Sequence, residues 1–189
     1  MFGGTFDPPH VGHLVTAVNV RHALALDVVL LMVASQPWQK QGSRAISPAD
    51  DRFALTVAAV GEVAGVEACR IELDRPGPSY TADTLAELAK QLRDVTLFTI
   101  LGRDAAAGLM TWERWTNVVK LSRMVVVARP GSSEPLPAGV PWLQVEVPHL
   151  EVSSTDLRAR LGDGRPLDYL LPSAVIAEVA KRRLYEDRP

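Results

Sequence analysis

Uniformly apolar runs alternate along this chain with longer segments of helical spacing. Residues 27–34 (DVVLLMVA), 95–101 (VTLFTIL) and 124–128 (MVVVA) are aliphatic or β-branched almost throughout. Such runs predict strands buried on both faces. Residues 66–73 and 142–147 have the same character more weakly, and Met1–Phe2 reads as the tail of a first strand. Between these runs, Val11, Leu14, Val15 and Val18 follow the i, i+3, i+4, i+7 spacing of one helix face. Leu85, Leu88 and Leu92 form a second stripe in a helix predicted over 81–92. Ser47–Pro48 reads as a capping serine with proline at the first helical position, opening a helix to about residue 60. Ser153 or Ser154 is expected to cap a helix to about residue 161, and Pro172 to begin a last helix ending near Tyr185. Strands alternating with helices predict an α/β fold, a Rossmann-like doubly wound parallel sheet with helices on both faces. The length predicts one domain over 1–189, with a helical C-terminal portion from about 153.

Composition narrows the partners. Net charge is −2 with acidic and basic residues interleaved, which argues against a broad polyanion-binding surface and so against nucleic acid. No apolar run approaches the length of a bilayer span, and no leader-like segment precedes the first motif, so no membrane association and a cytoplasmic location are expected. The single cysteine, Cys69, allows no intrachain disulfide and belongs to no metal-site spacing; it reads as a buried strand residue.

Four segments have the residue types that chemistry needs. In Gly3–His13 (GGTFDPPHVGH), glycines allow the backbone to approach a phosphate, and the helix that follows offers free N–H groups and a positive dipole end. His10 and His13 fall near each other on a first turn, where two imidazoles can donate to phosphoryl oxygens; Gly12 between them keeps the ligand side clear. A zinc pair lacks a third ligand, and two capping histidines in a glycine turn are the structural alternative. The run has neither the Walker lysine nor the GxGxxG spacing. In SSTDLR, Ser154 and Thr155 open a helix and Arg158 lies one turn on, a grip for phosphate; taken alone, the segment favours a plain N-cap with Asp156 in a capping-box-like position and Arg158 on a solvated face. In SYTADTL, Thr81 is the expected cap of a helix start suited to a carboxylate or polar ring substituent, with a plain capped helix and an inward Tyr80 as the alternative. In Gly102–Arg103–Asp104, the carboxylate suits ribose hydroxyls. Trp112 or Trp115 beyond it suits an aromatic ring, with one of the two expected in the core. Lys40 in the 35–47 loop and Arg129 after a buried strand are further candidates; solvation and a salt bridge are their alternatives. His22 and His149 show no partner pattern and read as structural. If strand 1 is central with strand 4 beside it, Gly3–His13 and Gly102–Asp104 flank one crevice at the carboxyl ends of the strands.

Taken together, GGTFDPPHVGH and SSTDLR resemble the two phosphate motifs of the HxGH nucleotidyltransferases. GPSYTADTL, LGRDAAAGLMTWERW, VVVARPG and LPSAVIAEVAKRRLY narrow this to a resemblance, nearly end to end, to bacterial nicotinate-nucleotide adenylyltransferases. The resemblance implies transfer of the adenylyl group of ATP to nicotinate mononucleotide, giving deamido-NAD and pyrophosphate, with Mg²⁺ held mainly by ATP phosphates and water. It implies that His10 and His13 contact the ATP phosphates, that Ser154, Thr155 and Arg158 hold the departing pyrophosphate, and that Gly3, Gly4, Thr5 and Phe6 line the nucleotides. By the same resemblance Gly102 and Asp104 meet the adenosine, and Tyr80, Thr81, Thr84 and a stacking Trp112 meet the nicotinate. Two features depart from the family: Arg103 stands where a small residue is usual, and the 35–47 loop carries Trp38 and Lys40. That loop is expected to be a mobile lid. A sister enzyme for phosphopantetheine or nicotinamide mononucleotide, and a non-catalytic nucleotide sensor, are the competing readings. Self-association into a homo-oligomer is left open.

Overall fold

A computed structural model describes residues 1–37, 46–128 and 135–185. Lys40, Trp38, Arg129 and residues 38–45 of the expected 35–47 lid lie outside the described residues. Six parallel strands form one sheet: β1 (Phe2–Gly4), β2 (Val29–Val33), β3 (Val66–Cys69), β4 (Phe98–Gly102), β5 (Arg123–Ala128) and β6 (Trp142–Glu146), in the order β3-β2-β1-β4-β5-β6. The order reverses between β1 and β4, as the doubly wound reading requires.

Side chains alternate across the sheet. Val29, Leu31, Val33, Ile100, Val125 and Val127 pack on one face with Ala17 and Val20 of α1 (Val11–Ala23) and Val60 of α2 (Ala49–Val60). Leu101, Met124 and Val126 face the other way, onto α4 (Thr81–Gln91), α5 (Arg103–Ala107) and α6 (Trp115–Leu121). Helices therefore cover both faces. The helical C-terminus, α7 (Ser154–Asp163) and α8 (Ser173–Arg182), closes against α2 through Leu55, Ala59, Leu157, Leu171, Val175 and Val179.

Several sequence expectations shift. The buried face of α1 is Ala17 and Val20, while Val18 is exposed. Residues 66–73 are not one strand. The chain leaves the sheet after Cys69 and folds into α3 (Ile71–Asp74), which buries Ile71 and Glu72; eight residues cannot separate a strand from a strand plus one helical turn. Cys69, at the end of β3, is half-buried. Val95 is exposed and β4 begins only at Phe98; Leu92 follows the end of α4 and is exposed. Pro48 and Pro172 occupy the N-cap positions themselves, Tyr80 rather than Thr81 caps α4, and α8 ends before Tyr185. Among the described residues no helix is long and apolar enough to cross a membrane.

Candidate active site

Two clefts open above the carboxyl ends of the central strands, and Phe2 of β1 lines both. The first, the strand-end cleft, holds about 170 Å³ and is walled by Gly3, Gly4, Thr5, Glu72, Ser79, Thr81, Gly102 and Trp112, among others. The second, the helix-start cleft, holds about 560 Å³ and is lined by His10, His13, Asp104, Ser154, Thr155 and Arg158, with Thr16, His149 and several apolar side chains. Segments widely separated in sequence thus meet where the strand order reverses.

The histidine pair is built into the start of α1. The His10 and His13 rings stack at 3.8 Å between centroids and 28° between planes. The backbone N–H of His10 donates to His13 Nδ1 at 3.1 Å, so a neutral His13 ring carries its proton on Nε2. Phe6 abuts His13 edge-on at 5.0 Å and Phe2 lies 6.1 Å away, leaving the ring little freedom. Gly12 has an internal reason to be glycine: a Cβ there would lie 2.9 Å from Val152 Cγ1 and 3.1 Å from His10 Nδ1. At Gly4 a Cβ would strike the Phe6 ring at 2.7 Å. Gly3 and Gly102 differ, since a Cβ at either would meet open space or one ordinary contact. What those two glycines preserve is the volume of the cleft.

The start of α7 faces the histidines. Ser153 is the cap, its Oγ accepting from Asp156 N–H at 3.2 Å, and Asp156 pairs with Arg160 and Arg165 rather than closing a capping box. Ser154 Oγ donates to Pro8 O at 2.8 Å, and Arg158 donates to Asp7 O at 2.6 Å and Thr155 Oγ1 at 3.2 Å. Hydroxyls, a helix N-terminus and a guanidinium converge here, a set that binds oxyanions. Asp104, exposed on the first turn of α5, is the one carboxylate among the described residues lining this cleft. Among the described residues no group of three or more His, Cys, Asp or Glu could hold a metal. That donor set fits a hard cation that arrives on phosphate oxygens and keeps its water, and does not form a protein cage.

In the strand-end cleft, Thr81 and Trp112 stand on the wall as expected. The Trp112 Nε1 is buried with no hydrogen-bond partner among the described residues. Both tryptophans pack partly on the core beneath α6, so neither is wholly core. Three expected contacts are placed elsewhere. Thr84 is fully buried behind the wall, its hydroxyl donating to Glu72 at 2.6 Å. Tyr80 is half-buried beneath the Arg114 guanidinium, 5.7 Å from its ring, and does not line the cleft. Phe6 belongs to the core and buttresses His13 instead of lining either cleft; its backbone holds a left-handed φ of 50°. Arg103 opens α5 and is half-buried.

Other residues in and around the clefts were not singled out from the sequence. Glu72 is 5% exposed on the wall of the strand-end cleft, and burial pushes its carboxyl up against the opposing pull of the Thr84 and Ser79 hydroxyls and of Arg75. Tyr185 Oη donates to Asp7 Oδ1 at 2.7 Å, and burial together with the Asp7 charge raises the phenol, keeping it protonated. His149, read as structural, is exposed at the rim of the helix-start cleft; its position four residues before SST was the available signal. His22 is exposed at the end of α1, away from both clefts.

Comparison with known proteins agrees with this geometry. A cytidylyltransferase-like family model matches residues 1–160. A "Probable nicotinate-nucleotide adenylyltransferase" of Streptomyces coelicolor is 45% identical over 97% of this chain and 98% of its own length. One of the same description from Salinispora arenicola is 44% identical over 97% and 99% respectively. In fold, the chain resembles the Plasmodium falciparum nicotinic acid mononucleotide adenylyltransferase complexed with NaAD, with a TM-score of 0.77 at 14% identity, covering 97% of this chain and 95% of that one. By sequence over nearly its whole length, the chain belongs to the cytidylyltransferase-like family and, within it, to the nicotinate-nucleotide adenylyltransferases.

Proposed function

We propose that this chain transfers the adenylyl group of ATP to nicotinate mononucleotide, releasing pyrophosphate and forming deamido-NAD. The observation that carries the reading is the junction at Phe2: an oxyanion-binding cleft with a stacked histidine pair adjoins a smaller cleft with Trp112 and Thr81 on its wall. One site takes the triphosphate and the other the acceptor.

A phosphate oxygen of the acceptor attacks the α-phosphorus of ATP as the bond to the β-phosphate oxygen breaks. The attacking phosphate is already anionic at neutral pH, so the chain needs neither a nucleophile nor a strong base of its own; positioning and charge stabilisation carry the rate. His10 and His13 donate to the phosphoryl oxygens as charge builds there. Ser154, Thr155, the N–H groups at the start of α7 and Arg158 receive the departing pyrophosphate. Gly3, Gly4, Thr5 and Gly102 let backbone approach the nucleotides, Asp104 meets the ribose, and Trp112 stacks on the pyridine ring with Thr81 at its substituent. Tyr80, Thr84 and Phe6 act from behind, by holding the start of α4 and the His13 ring. Lys40 and Arg129 remain candidate phosphate contacts. Mg²⁺ would be held mainly by the ATP phosphates and water, with Asp104 the carboxylate lining the helix-start cleft, and would supply charge stabilisation at those phosphates. Residues 1–189 act as one unit whose helical portion from about 153 grips the leaving group, and no step needs a second copy of the chain.

Incubation with Mg-ATP and a panel of acceptors, following pyrophosphate, tests this. Release is expected with nicotinate mononucleotide. Release only with phosphopantetheine or nicotinamide mononucleotide would overturn the acceptor assignment, and no release with any acceptor would leave a nucleotide sensor.

A further inference from the structure

Arg52, in the first turns of α2, is 1% exposed and among the largest fully buried side chains of the protein. A buried guanidinium is tolerated only when its donors are met. Backbone carbonyls of three separate segments meet them here. Nε donates to Ser47 O at 2.8 Å, Nη1 to Thr5 O at 2.8 Å and Nη2 to Ser35 O at 3.1 Å. Thr5 belongs to the loop that carries His10. Ser35 follows β2, and its N–H donates to Ser79 Oγ at 2.9 Å; Ser79 N–H donates in turn to Gln36 O at 3.3 Å. Ser79 stands on the cleft wall two residues before Thr81 and bonds to Glu72. An unbroken chain of hydrogen bonds thus joins the loop before α1 to the loop before α4, and Arg52 is its central link.

We propose that Arg52 is a positioning residue that couples the two substrate clefts, so that ATP and the nicotinate nucleotide bind cooperatively. This rests on the assignment of those two substrates above. Thr5 and Ser79 both line the acceptor cleft, and His10, at the far end of the loop that Thr5 begins, lines the other, so a triphosphate that orders that loop acts on Thr5 and, through the planar fork of arginine, on Ser35 and Ser79. Lysine keeps the charge but presents a single nitrogen and cannot span the three acceptors.

Calorimetric titration of Mg²⁺ and α,β-methylene-ATP, with and without saturating nicotinate mononucleotide, reads the coupling directly. In the parent chain the acceptor should tighten analogue binding by about fivefold or more. Arg52→Lys and Ser79→Ala should each bring that factor towards one, with analogue affinity in the absence of acceptor little changed. The double variant should be no worse than Arg52→Lys, since links in series are lost only once. A factor of one in the parent chain, or an undiminished factor in the two single variants, overturns the proposal. Should Arg52→Lys not fold, Ser79→Ala decides alone. If the parent chain releases pyrophosphate only with another acceptor, the substrate reading fails, and the same titration with that acceptor decides the coupling.

Discussion

His13 divides its work between its two nitrogens. Nδ1 accepts from the backbone N–H of His10, which puts the proton of a neutral ring on Nε2, and the ring is held by His10, Phe6 and Phe2. A donor that acts as charge develops should matter more to turnover than to binding. His13→Ala is therefore expected to lower kcat by about 10²- to 10³-fold with little change in the KM for ATP. Equal losses in both, measured by steady-state kinetics, would reduce the ring to a docking contact. Glu72 makes a different residue-scale prediction. Its folded form holds a proton more tightly than an unfolded glutamate, so between the ordinary and the raised value the folded state binds more protons and stability falls as pH rises. Glu72→Gln removes that dependence, and its Tm relative to the parent should increase from about pH 4 to about pH 7. A Tm difference that does not vary with pH would contradict it. At this scale the sequence identified His10, His13 and Arg158 because their types and spacing are unusual together. It did not show that Gly12, which lines the cleft, is also constrained by Val152 and the His10 ring, because contacts across 140 residues leave no mark on local spacing.

Element ends, rather than element interiors, build the site. The starts of α1, α4, α5 and α7 all border the clefts, with the positive ends of their dipoles. Trp112 follows a single 3₁₀ turn, Leu109–Thr111, and its carbonyl accepts from the backbone N–H of Trp115 at 3.2 Å. Arg114 caps α6 in a left-handed conformation and grips Asp83 of α4 through two 2.7 Å hydrogen bonds, which hold the Asp83 carboxyl below its ordinary range. Base–aromatic stacking is worth about 1–3 kcal/mol. Trp112→Ala should raise the KM for nicotinate mononucleotide about fivefold or more while leaving that for ATP unchanged. The same effect from Trp115→Ala alone would transfer the stacking role to that residue. The buried strands were legible because continuous β-branched runs have few other uses. The withdrawal of Tyr80 and Thr84 from the cleft was not, since an N-cap and a helical i+3 position look alike until the packing of α3 and α4 assigns Thr84 to Glu72.

At the scale of the whole molecule, the two chain ends meet at the first motif. Tyr185 reaches Asp7, 178 residues away, and Arg158 holds the same residue's carbonyl, so the C-terminal helices brace the loop that carries the histidines. Asp7 is 1% exposed, and a buried carboxylate that loses a donor is costly. Tyr185→Phe should lower unfolding stability by about 1–3 kcal/mol in a denaturant titration. An unchanged midpoint would mean that another group takes over the hydroxyl's place. The reversal of strand order between β1 and β4 could be anticipated from the alternation of elements, but the Asp7–Tyr185 contact could not, because no periodicity records a single contact that closes the chain. Among the described residues Phe2 is the one side chain common to the linings of the two clefts, and the nearby glycines Gly3 and Gly102 are unconstrained by packing. An inhibitor that straddled Phe2 would occupy both sites with one molecule, and resistance at either glycine would be self-limiting: a side chain large enough to evict the drug would fill the same space the substrates must enter.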